Sequence, residues 1–83
     1  MRPGDLITIE PVEEGGTRYG WHWSMNFDKM VAPDAAADSL IKLEMRGVYV
    51  VLMSVNDKFS TRWTLITNGS ILAWQRDKFM RKA

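Results

Sequence analysis

Eighty-three residues without a cysteine make one domain, residues 1–83, near the lower limit for a core that folds without a staple. That composition excludes a disulfide framework and a thiolate metal site, and a single histidine excludes a multi-histidine metal cluster within one chain. The net charge of +1 hides a split, with four Lys or Arg against eight Asp or Glu in residues 1–44 and seven against two in residues 45–83.

In chain order, Pro3, Gly4 and Asp5 form a turn that leads into a short strand over residues 6–10, where Ile7 and Ile9 point one way and Leu6 and Thr8 the other. Pro11 ends or edges that strand. Glu13, Glu14, Gly15, Gly16 and Thr17 read as a polar loop tip. Residues 18–25 then alternate, with Tyr19, Trp21, Trp23 and Met25 on one face and Gly20, His22 and Ser24 on the other. A period of two predicts a strand, and the Gly-Gly tip predicts that it pairs back on residues 6–12. Residues 26–39 read as a loop with room for one helical turn after Pro33, capped by Asp34. Residues 40–45 read as extended.

Arg46 and Gly47 turn the chain into residues 48–53, apolar throughout. That is the pattern of a strand covered on both sides, and it places Val50 and Leu52 in the core. Residues 55–60 form a loop. Asn68 and Gly69 then stand between two apolar runs, the pattern of a two-residue type I′ turn with positive φ at both positions. Such a turn sets Leu65 opposite Leu72 and Trp63 opposite Trp74. Trp63, Leu65, Leu72 and Trp74 then share one face, and Thr64, Ile66, Ile71 and Ala73 the other. Residues 75–78 have room for one 3₁₀ turn, and Phe79 with Met80 forms a last short strand. The sum is an all-β chain of five or six short antiparallel strands with a long early loop.

These features together resemble the SH3-like small barrel family. The resemblance rests on Pro3-Gly4-Asp5-Leu6-Ile7, on residues 47–52 after a long excursion, and on Asn68-Gly69-Ser70 followed by Trp74 and Asp77-Lys78-Phe79. The order is similar to that in small uncharacterised SH3-like proteins of tailed bacteriophages. Residues 11–39 have no counterpart in the pattern. The family shares no common chemistry, so the resemblance implies a fold, and with it a groove floored by aromatics. In this chain the groove would hold Tyr19, Trp21 or Trp23 near Trp74, with Phe59 as a wall.

No stretch announces a reaction. His22 has no nucleophile or orienting carboxylate singled out beside it, and a histidine on the polar face of a strand is the ordinary reading. Residues 14–17 lack the spacing of a phosphate loop, and Asp34 with Asp38 lacks that of a calcium loop. The sequence therefore predicts no catalytic residue, no cofactor and no metal. Four Trp, two Tyr and three Phe are many for this length, and each ring buries roughly 150–250 Å² when enclosed. One or two of Trp21, Trp23, Trp63 and Trp74 are expected to remain partly open as a contact surface. The leading expectation is a non-enzymatic module that binds a protein or peptide, a second copy of itself included, with Tyr19, Trp21, Trp23, Phe59 and Trp74 at the contact. The alternative is a weak nucleic-acid binder that adds the basic end, Arg76, Lys78, Arg81 and Lys82, as an anion-facing surface. The plain reading of that end is a solvated charged face. No run reaches the roughly 18–20 apolar residues of a membrane span, and the first residues lack a signal peptide's apolar stretch. The expected setting is the cytoplasm, a host's or a virion's if the chain is phage-encoded.

Overall fold

A computed structural model of the chain describes residues 1–12, 16–24, 40–44 and 46–83. The described residues form seven strands: β1 (Leu6–Ile9), β2 (Tyr19–His22), β3 (Leu40–Lys42), β4 (Tyr49–Asn56), β5 (Arg62–Thr67), β6 (Leu72–Arg76) and β7 (Met80–Lys82). A single 3₁₀ turn, Asp77–Phe79, joins the last two. The strands are antiparallel and make one sheet in the order β3-β2-β6-β5-β4-β1-β7, curled into a half-barrel. Seven strands rather than five or six are present because both marginal stretches, residues 40–42 and 80–82, find partners on sheet edges. The Glu13–Glu14 tip, Met25 and the proposed cap Asp34 lie outside the described residues.

β1 follows its alternation. Ile7 and Ile9 are buried, and they meet Leu43, Tyr49, Val51, Ile66, Ala73 and Met80 in the main core. Gly4, with φ of +90°, supplies the turn before β1, and its N–H donates to the Val51 carbonyl at 2.7 Å. β1 pairs with β4 and β7. It does not pair with β2, against the local hairpin expected around the Gly-Gly tip. β2 instead lies between β3 and β6. The fit with β6 is close: a Cβ on Gly20 would stand 2.8 Å from the Trp74 carbonyl oxygen.

β4 is buried in the opposite phase to the one its composition suggested. Tyr49 and Val51 enter the core, Val50 is half-buried, and Leu52 is 42% exposed. The register with β5 shifts between Val51 and Met53, which leaves Leu52 as the extra residue of a bulge. Tyr49 sets the phase. Its ring is enclosed while its hydroxyl accepts the Glu44 N–H at 2.8 Å and donates to the Glu44 carbonyl at 3.3 Å. A buried phenol with such a partner is satisfied at both ends.

The β5–β6 connection is also wider than a two-residue turn. Thr67 pairs with Leu72 and Leu65 with Trp74, so residues 68–71 form the loop. Gly69 alone in that loop has positive φ. Asn68 instead turns its side chain inward, and its Oδ1 accepts the N–H groups of Ser70 at 2.9 Å and Ile71 at 3.1 Å. That Asx-type turn replaces the type I′ geometry. The register moves by two residues, an even number, so the faces of the hairpin keep their membership and Ile71 alone leaves for the loop.

Beyond Ile66 and Ala73 the inner face becomes polar. Thr64 donates to Asp77, Ser54 donates to Thr64 at 2.6 Å, and Arg62 pairs with Asp77 at 3.3 Å. This network ties the 3₁₀ turn to β5. Placing Asp77 there shifts the turn to residues 77–79, one or two residues later than composition indicated, and Phe79 falls within it rather than in β7.

Candidate aromatic and cationic site

The sheet face opposite the main core carries a second cluster. Trp21 stands beside Trp74 across β2 and β6, and Trp74 stands beside Leu65 across β6 and β5. Two residues along, Trp63 pairs with Arg76 and with Val55. Trp63 and Trp74 are buried, with Trp21, Val55 and Leu65 packed against them. Trp21 meets Trp63 edge-on, with ring centroids 5.4 Å apart and planes at 87°. Edge-to-face geometry adds about 0.5–1.5 kcal/mol beyond the area buried. The indole N–H groups fix two rings in place: Trp63 donates to Asp57 Oδ2 at 2.9 Å, and Trp74 to the Trp23 carbonyl at 3.0 Å.

Exposed rings stand at either end of β2 and on the turn after β4. Tyr19 is 46% and Trp23 52% exposed, on either side of the half-buried Trp21. The Tyr19 carbonyl accepts Gln75 Nε2 at 2.5 Å, which locks the start of β2 to β6. Phe59, at 66% exposed, sits on the turn between β4 and β5. Asp57 organises that turn, accepting the N–H of Phe59 at 2.8 Å and of Thr61 at 3.0 Å on Oδ1. Desolvation raises the Asp57 pKa, but hydrogen bonds from Trp63, Thr61 and Phe59 outweigh it and hold the carboxyl below its ordinary range. The same side chain thus sets both the Phe59 turn and the Trp63 ring.

Trp21 and Trp74 come together, with Trp74 as floor rather than open contact. Trp23 meets this cluster through its carbonyl, whereas its ring lies beside His22, with centroids 5.5 Å apart, lining a pocket with Ile41, Ile71 and Leu72. Phe59 joins them only through Asp57 and Trp63. The basic end does not form one surface. Arg81 pairs with Glu10 at 2.8 Å on β7, Lys78 stands 5.0 Å from the Phe79 ring, and Lys82 is exposed on the edge strand. Arg76 is half-buried on the aromatic face, its guanidinium carbon 5.6 Å from the Trp63 ring, 5.9 Å from Trp21 and 4.9 Å from Phe79. Burial, and after it the charge of Arg18, lowers the Arg76 pKa from its ordinary value.

Arg18, Asp57 and Phe79 were not read as site residues. Arg18 lies 3.9 Å over the Phe79 ring and donates to the Glu10 carbonyl at 3.4 Å. Nothing in the sequence links it to Arg76, since only the pairing of β2 with β6 makes them neighbours. His22 Nδ1 lies 2.7 Å from Ser24 Oγ in a local turn. Among the described residues, no group of three or more His, Asp or Glu gathers to hold a metal ion. No protein-family model, curated protein or solved structure matches the chain.

Proposed function

We propose that the chain is a non-enzymatic SH3-like module that binds a protein or peptide across Tyr19, Trp21, Trp23 and the Trp74 floor. In a phage-encoded setting the partner is a virion component or a second copy. The SH3-like reading is supported by the pairing of the first and last strands, the β4-β5-β6 meander, and the 3₁₀ turn between β6 and β7. The binding reading is carried by one observation. Two large rings, Tyr19 and Trp23, stand open at either end of β2, next to a cluster whose own rings are fixed by Asp57 and the Trp23 carbonyl. Rigid aromatics of this kind lose little entropy on contact and dominate interface energetics.

The nucleic-acid alternative draws on the same rings. It is disfavoured because Arg62 and Arg81 are engaged by Asp77 and Glu10, and phosphate tracking needs several cations in a row. Selection of binders from a random peptide library on the full chain tests the proposal. Selected peptides should lose about 30-fold or more in affinity for Trp23→Ala, the scale of a 2 kcal/mol hot spot. Peptides indifferent to both Trp23→Ala and Tyr19→Ala would overturn it.

A further inference from the structure

Three N–H donors near the aromatic face are enclosed yet lack a hydrogen-bond partner: Arg18 Nε, Arg76 Nε and Trp21 Nε1. Arg18 and Arg76 share one neighbour, with guanidinium carbons 3.9 Å and 4.9 Å from the Phe79 ring centroid. Neither forms an ion pair among the described residues, whereas Arg62 and Arg81 do. Lys78 stands at the same ring, 5.0 Å from its centroid, so three like charges gather there. The part-buried Arg18 and Arg76, with no carboxylate partner among the described residues, make a costly arrangement for a small domain. The ring faces offset part of this cost, and the burial that raises it also strengthens the guanidinium groups' attraction for an anion.

We propose that the Arg18–Arg76 pair, walled by Phe79 and Trp21, is a receptor for an acidic side chain of the protein partner, an Asp or Glu carboxylate. The proposal rests on the binding face described above and specifies the partner's chemistry. A planar carboxylate matches the guanidinium fork and accepts two N–H bonds at once. Arg18 and Arg76 are the enclosed cations, Lys78 stands at the same ring, and the neighbouring Arg81 is already satisfied, so the site suits a compact anionic group rather than a long phosphate backbone. The chain's own charge split supplies one partner of fitting chemistry, a second copy presenting its acidic half.

The test is NMR of the full isotope-labelled chain, following the Nε–H signals of Arg18 and Arg76 and the Trp21 indole. Capped tetraglutamate, sodium phosphate and an oligothymidylate are titrated at matched ionic strength. Tetraglutamate should shift all three signals saturably. Arg76→Gln should weaken that binding by about tenfold or more, the scale of one lost charge-assisted bond, and Arg81→Gln should leave it in place. Arg18→Gln carries the same expectation should Arg76→Gln fail to fold. Equal binding by the Arg18 and Arg76 variants, shifts that track ionic strength without saturating, or tighter binding of phosphate or oligothymidylate would overturn the proposal. Trp23→Ala removes a ring but no charge and should keep the tetraglutamate response. A selected peptide that still binds the wild type with no tetraglutamate shift refutes the carboxylate receptor alone. A retained shift with selected peptides indifferent to Trp23→Ala refutes the aromatic face alone.

Discussion

Gly20→Ala tests how β2 is held. The added Cβ would lie 2.8 Å from the Trp74 carbonyl oxygen, 3.3 Å from Ala73 Cβ and 3.4 Å from Leu43 Cδ2. Carbon–oxygen contacts between strands settle near 3.3–3.6 Å, so β2 must retreat from β6 by about half an ångström or more. The obstruction is backbone, so no rotamer change relieves it. Overpacking of this kind costs about 1–3 kcal/mol. For a domain of this size that is a fall of roughly 5–20 °C in melting temperature. Far-UV circular dichroism gives the melting temperature, and hydrogen exchange locates the damage. Protection should fall at Tyr19–His22 and Leu72–Arg76, which pair across the strained contact, and persist at Ile7 and Ile9, which lie on β1. A variant that melts with the wild type would show that β2 does not pack on β6 in this register.

Two further substitutions probe the fold. Val51→Ala should cost about 2 kcal/mol in urea unfolding, the worth of an enclosed aliphatic side chain, while Leu52→Ala, on an exposed bulge, should cost about 0.5 kcal/mol or less. The reverse ranking would restore the other phase of β4. Asp57 gives a pH dependence. Its folded pKa lies below its unfolded value, so its contribution is fully present above the ordinary Asp range and is lost as pH falls through that range toward the folded pKa. The melting-temperature gap between wild type and Asp57→Ala should therefore be widest near neutrality and narrow on acidification below about pH 4. A constant gap would mean that the Trp63 and backbone bonds do not depend on the ionised carboxylate.

How much of this was legible in the sequence varies by element. β1 was readable because Ile7 and Ile9 alternate with Leu6 and Thr8 beside a Pro-Gly turn. The faces of the β5–β6 hairpin were readable too, since Trp63, Leu65, Leu72 and Trp74 keep period two. Its register was not, because the Asn68 side chain could close the loop in a way that backbone propensity alone does not reveal. The phase of β4 was hidden by a run apolar on both faces, which carries no period. The partner of β2 was misread because a nearby glycine tip suggests a local hairpin. The real partner is set by the fit of Gly20 against Ala73 and Trp74, far along the chain. At the site, the alternation of Tyr19, Gly20 and Trp21 was legible, but β2 ends at His22 and the Trp23 ring lies beside that histidine. The pairing of Arg18 with Arg76 was not legible, because it exists only once β2 lies beside β6.

The central claim is that a protein partner sits on the aromatic face of β2 and β6. Amide and indole shift mapping of the full chain with a library-selected peptide tests it most directly. The account predicts that the largest shifts fall on Tyr19–His22, Trp23 and Leu72–Arg76, with the Trp21 and Trp23 indoles among them. Shifts gathered instead on Lys78, Arg81 and Lys82, with Trp21 and Trp23 unmoved, would contradict it.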